Sequence, residues 1–189
     1  MKYYIVAAFA LLCSSISAQK PCDLSADVKD SLGTYKETRD YLVFERNFGA
    51  TSSYAFFSLV KTDGMPTLNV QFIDKSKDFI KAKCFDKNSK MYLQLDNGKI
   101  VTLLHIDAEN CGTTVRDDKQ TNNRIMNGIF MFIKGTFEDL KSSPVSVMRV
   151  RYATDTVDYI FKSEFTSELD GKTYQPGRYF IDTLHCIDL

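Results

Sequence analysis

MYLQLDNGKIVTLL, residues 91–104, decides the fold class. Met91, Leu93 and Leu95 alternate with Tyr92, Gln94 and Asp96, and a period of two is the pattern of a strand with one wet face. Asn97-Gly98 follows, a pair that supplies the positive φ angles of a type I′ hairpin turn. The return run is apolar at Ile100, Val101, Leu103, Leu104 and Ile106. That places it in the middle of a sheet with both faces covered.

Upstream, YLVFER, SYAFFSLVK, TLNVQFID and FIKAKCF are short β-type runs separated by Asn47 and Gly49 and by DGMP at 63–66. They form a meander, and their aromatic residues Tyr54, Phe56, Phe57, Phe72 and Phe79, with Phe130 and Phe132 downstream, read as core. RIMNGIFMFIK from Arg124 is apolar on both faces and reads as another central strand. Thr136 with Asp139 three residues on has the form of a capping box, and Pro144 is a stop, which together predict a short helix over 136–142. VSVMRVRY and TVDYIFK pair as a hairpin through Ala153–Asp155. In PGRYFIDTLHCI, Pro176 suits a first helical turn, and Tyr179, Phe180, Thr183, Leu184 and Ile187 share a face. Near the start, Leu24, Val28 and Leu32 are spaced for a short helix capped by Asp23. The sum is an α+β domain: a largely antiparallel meander of about eight to nine strands, a short helix near 136–142, and a C-terminal amphipathic helix packed on the sheet.

The first residues carry a different message. Lys2, an apolar run from Ile5 to about Cys13, and the small residues Ser14, Ser15, Ser17 and Ala18 have the three zones of a cleavable export signal over 1–18. Crossing a membrane takes about 20 apolar residues and this run is roughly half that, so no transmembrane segment is expected. Residues 19–189 then make one globular secreted or periplasmic domain, without repeats, low-complexity tracts or linkers.

Removal of the signal takes Cys13 and leaves four of the five cysteines: Cys22, Cys84, Cys111 and Cys186. An even set bound for an oxidising compartment predicts two disulfides. Three connectivities are open, and one bridge with two buried thiols is an alternative. A Cys22–Cys186 bond would join the ends of the domain and contribute up to about 5 kcal/mol in the chain-entropy model. With 24 basic and 24 acidic residues the chain lacks the basic excess of a nucleic-acid binder.

His105 and His185 are the two histidines, with Cys111 six residues after the first and Cys186 beside the second. These four carry the donors for zinc or for a Cys-His nucleophile but lack the spacing of either, so no metal and no cofactor is expected. G-x-S-x-G, H-E-x-x-H, the Walker loop and G-x-G-x-x-G are absent from the sequence. Asp155 and Asp158 are the carboxylate pair for motif-free acid–base work, with turn solvation as the plainer account. Residues 107–124 lack a helix or strand pattern and form the candidate binding loop, with Asp107, Glu109, Asp117 and Asp118 as oxygen donors at a spacing unlike an EF-hand. Lys81 and Lys83 share one face of the proposed strand in the lysine-rich stretch 74–90, a candidate basic face or edge protection. The expected function is a secreted, non-catalytic binding or interaction protein that uses its sheet face or the 107–124 loop, with a cell-surface, polysaccharide or protein partner. Two alternatives stand beside it: a secreted hydrolase without a recognisable motif, and a lipocalin-like carrier of a small apolar ligand, the latter by architectural analogy.

Overall fold

The computed structural model describes residues 20–189, so the expected export signal lies outside the described residues. The strands are β1 (Leu24–Asp30), β2 (Gly33–Thr38), β3 (Tyr41–Phe48), β4 (Thr51–Thr62), β5 (Met65–Ser76), β6 (Lys90–Leu95), β7 (Ile100–His105), β8 (Thr113–Arg116) and β9 (Asn122–Phe132). After helix α1 (Phe137–Ser142) come β10 (Val145–Arg151), β11 (Thr156–Ile160) and a small ribbon of β12 (Phe165–Thr166) and β13 (Thr173–Tyr174). Helix α2 (Tyr179–Thr183) closes the chain between 3₁₀ turns at Pro176–Arg178 and Leu184–Ile187.

Eleven strands form one sheet in the order β1-β2-β4-β5-β9-β7-β6-β10-β11, while β3 pairs with β4 and β8 with β9. Every ladder is antiparallel. The sheet is far from flat. Between β5 and β11 lie four strands, a span of about 24 Å in a flat sheet, yet the Phe72 and Tyr159 ring centroids are 5.2 Å apart. Twist therefore carries the sheet round on itself. Phe44 of β3 then meets Tyr159 of β11 at 5.1 Å, ring edge to ring face. Inside the curl, alternate residues of every central strand pack into one core, among them Phe57, Leu59, Leu68, Val70, Met91, Leu93, Leu103, Phe130, Met148 and Val150.

The two ends of the curl are closed by different segments. At one end, where Lys61 Nζ donates to the Asp188 carbonyl, the C-terminal residues Tyr179, Phe180, Leu184 and Ile187 are buried. Phe57 packs 5.5 Å from Tyr179 and 5.9 Å from Phe180. The segment 77–89 leaves β5 from its opposite end and turns Phe85 inward, where it is fully buried. That ring stacks on His105 at 5.0 Å and on Tyr152 at 5.1 Å. Gly128 makes the room: a Cβ there would lie 2.7 Å from the Phe85 ring. Each closure carries a disulfide, Cys22–Cys186 at the first and Cys84–Cys111 at the second.

The α+β, largely antiparallel class, the 136–142 helix and the 145–160 hairpin stand as expected. Other expectations change. The strands number thirteen among the described residues, not eight to nine. The stretch after Asp23 is a strand because its i, i+4 apolar set finds nothing to pack against: Val28 is 47% and Leu32 92% exposed. FIKAKCF is irregular apart from a bridge between Phe85 and Asn110, and Phe79 points into solvent. At the β6–β7 turn only Gly98 has a positive φ; Leu95 N–H donates to the Lys99 carbonyl and Gly98 N–H to that of Leu95. The loop is thus a three-residue turn with a bulge rather than type I′. β7 is covered on one face only, its buried residues alternating with more open ones, and Ile100 at its start and Ile133 just after β9 are exposed. Thr136 does not cap α1; its hydroxyl donates to the Ile133 carbonyl. The expected C-terminal helix is present as the short α2, extended by a 3₁₀ turn on each side, and it packs across the end of the curled sheet.

Candidate functional site

The outer face of β7-β6-β10-β11 is a four-strand platform whose register is continuous from Val147 onward on β10. Ile100 faces Gln94, Gln94 faces Val147, and Val147 faces Ile160, so these four residues form one row across the strands. The neighbouring row is Thr102, Tyr92, Arg149 and Asp158. Ile100 is 63% and Ile160 70% exposed. Arg149 grips Asp158 through both nitrogens, Nε to Oδ1 at 2.6 Å and Nη2 to Oδ2 at 2.7 Å. That hydrogen bonding and charge hold the Asp158 carboxyl below the usual carboxylate range and fix the guanidinium plane. Tyr92, Gln94, Ile100, Val147, Arg149 and Asp158 line a shallow depression of about 260 Å³.

The residues singled out for catalysis have structural partners. Asp155 pairs with Lys81 at 3.2 Å and Asp158 with Arg149, so the two carboxylates are not paired with each other. Lys83 reaches Asp74 at 3.5 Å and lies 5.8 Å from the Tyr152 ring centroid. Because this segment is not a strand, Lys81 and Lys83 do not make one open basic face.

Within 107–124, β8 pairs with β9, which the sequence reading missed. Asp117 folds the turn, accepting the Lys119 and Thr121 N–H groups. These bonds, that from Thr121 first, lower its pKa. Asp107 Oδ1 accepts the Ala108 N–H, and Asp107, Glu109 and Asp118 are exposed. Among the described residues the four acidic groups do not converge on a cation site; the one gathering of ligand-type atoms is Cys22, His185 and Cys186, whose sulfurs are bonded to each other.

The histidines lie at opposite closures, so the His105, His185, Cys111, Cys186 set never assembles. His105 is 6% exposed, stacked on Phe85, with Nδ1 3.0 Å from the Asp86 carbonyl. A carbonyl only accepts, so Nδ1 carries the proton, and Nε2 is buried without a partner. His185 Nε2 lies 3.1 Å from the Lys20 carbonyl, 3.3 Å from Cys22 Sγ and 3.5 Å from Cys186 Sγ. At the Phe85 closure the Tyr152 and Tyr159 hydroxyls bond each other at 2.7 Å, and Ser53 Oγ donates to Asp74 at 2.6 Å. Among the described residues no helix is long and apolar enough to cross a membrane. Compared with protein-family models, with curated proteins and with solved structures, the chain gives no match.

Proposed function

We propose that this is a secreted, non-catalytic binding domain whose recognition surface is the outer face of β7-β6-β10-β11 and whose partner is a protein. The carrying observation is the row Ile100–Gln94–Val147–Ile160, with its two isoleucines mostly exposed, beside Tyr92 and Arg149. Aligned apolar groups on an open face favour a covering partner, and Tyr and Arg are among the side chains enriched where protein partners bind. A hydrogen-bonded platform has little left to order on binding, which favours affinity. Work outside the cytoplasm is supported by the pattern over 1–18 and by two disulfides. The ion pairs of Asp155 and Asp158 favour this reading over a hydrolase, and an interior filled by rings favours the outer surface over a carried ligand.

The test is binding of the fluorescently labelled full chain to intact producing cells and to their extracellular proteins. Ile100→Asp and Ile160→Asp are expected to weaken binding about tenfold or more. Leu32→Asp, at the exposed β1–β2 turn, is expected to bind like wild type, with all three melting alike. Equal binding by wild type and both face variants would overturn the reading, as would hydrolytic turnover that Asp155→Ala or Asp158→Ala abolishes.

A further inference from the structure

We propose that the Cys22–Cys186 disulfide is a thiol-exchange site: Cys22 is the sulfur attacked, Cys186 the sulfur that leaves, His185 the proton donor, and a low-molecular-weight thiol the substrate. Three observations carry this. First, His185 Nε2 sits 3.3 Å and 3.5 Å from the two sulfurs. Second, the same nitrogen is 3.1 Å from the Lys20 carbonyl; since a carbonyl accepts and cannot donate, the proton is held on Nε2, beside the sulfurs. Third, Cys22 is exposed to solvent while Cys186 is 5% exposed, so an incoming thiol reaches the Cys22 sulfur first.

Exchange rates depend on access to the attacked sulfur and on how well the departing thiolate is stabilised. The incoming thiolate forms a new S–S bond to Cys22 as the Cys22–Cys186 bond breaks, and the electron pair of that bond leaves on Cys186. With a proton on both ring nitrogens, His185 gives its Nε2 proton to that thiolate, keeps the one on Nδ1 as the neutral ring, and takes another from solvent. A second thiolate attacking the mixed disulfide releases the small-molecule disulfide and leaves Cys22 reduced, so two thiols supply the two electrons. Cys84–Cys111 lacks these features. Both of its cysteines are half-buried, and the nearby Arg124 guanidinium donates to the Cys111 carbonyl rather than to sulfur. The consequence is directional: a thiol frees the C-terminal closure while the Phe85 closure stays stapled.

The experiment exposes the oxidised, exported chain to reduced glutathione, quenches in acid, alkylates free thiols and maps the peptides by mass. A glutathione adduct is expected on Cys22, forming about tenfold or more faster than Cys84–Cys111 opens. His185→Ala is expected to slow the adduct about a hundredfold, the low end for a positioned proton donor, with the Cys84–Cys111 rate unchanged. His185→Gln keeps a donor for the Lys20 carbonyl and is expected to melt like wild type yet stay slow, which separates proton transfer from packing. Equal opening of both disulfides, an adduct on Cys186, or wild-type rates in His185→Gln would each overturn the proposal. Should His185→Ala fail to fold, His185→Gln and the wild-type ratio decide.

Discussion

The two closures of the curled sheet solve one problem in opposite ways. At the C-terminal end, side chains arrive on short helical turns at the very end of the chain, held by a bond between residues 164 apart. At the other end a single ring, Phe85, arrives on an irregular segment whose disulfide spans 27 residues. The first closure is held by a staple that reaches across the whole fold and is open to solvent at Cys22; the second by a local staple and by close packing around Phe85. A long link removes more freedom from the unfolded chain, while a local one leaves most of the work to packing.

The largest expected effect is loss of the staples. In the chain-entropy model Cys22→Ser with Cys186→Ser costs about 5 kcal/mol, and Cys84→Ser with Cys111→Ser about 3.5 kcal/mol. Urea unfolding of each double variant measures the difference, and an equal or reversed order breaks the comparison. Next come the glycines that admit each closure. A Cβ on Gly128 would meet the Phe85 ring at 2.7 Å, and one on Gly177 would meet the Val145 carbonyl oxygen at 2.8 Å. Overpacking of this kind costs about 2 kcal/mol. Gly128→Ala is expected to speed hydrogen exchange through 77–89, Gly177→Ala through 176–187. If either variant loosens the far end as much as its own, the closures are one cooperative unit.

How much of this the sequence disclosed depends on the range of the interaction. Alternation at Met91, Leu93 and Leu95 is local and reads correctly; all three are buried. Phe79 and Phe85 look equivalent along the chain, yet Phe79 is 87% exposed and Phe85 fully buried, because the space beside Gly128 is created by a distant strand. The row Ile100–Gln94–Val147–Ile160 is hidden for a related reason. A bulge between Val145 and Val147 shifts the β10 register against β6, so Val145 points inward and Val147 outward although they are two residues apart. A one-residue slip reverses every face beyond it, and no period in VSVMRVRY announces where it falls. Cysteine parity was visible; the pairing and the nearness of His185 to both sulfurs required the folded chain.

The smallest and most selective effect concerns alkaline pH. Burial, then Tyr159 and Asp74, pushes Tyr152 far above the ordinary tyrosine range; burial also raises Tyr159, with the Tyr152 hydrogen bond partly opposing it. At the other closure burial raises Tyr179, opposed by hydrogen bonds from Thr38 and Thr183. A tyrosine whose folded pKa is raised keeps its proton while the unfolded chain loses it. The stability it contributes is complete below about pH 10 and is lost as pH climbs toward the folded value, at no more than about 1.4 kcal/mol per pH unit for each group. Tyr152→Phe with Tyr159→Phe removes both members of a buried hydroxyl pair, leaves no orphan, and takes away two of these protons. Tyr179→Phe takes away one. Followed by circular dichroism, the alkaline midpoint is therefore expected to rise more for the double variant. In wild type, tyrosinate absorbance from the buried set is expected to appear together with unfolding. Absorbance from all eight tyrosines of residues 19–189 developing near pH 10 in a still-folded chain, or equal midpoint shifts in the two variants, would mean that the Phe85 closure is less sealed than its packing indicates.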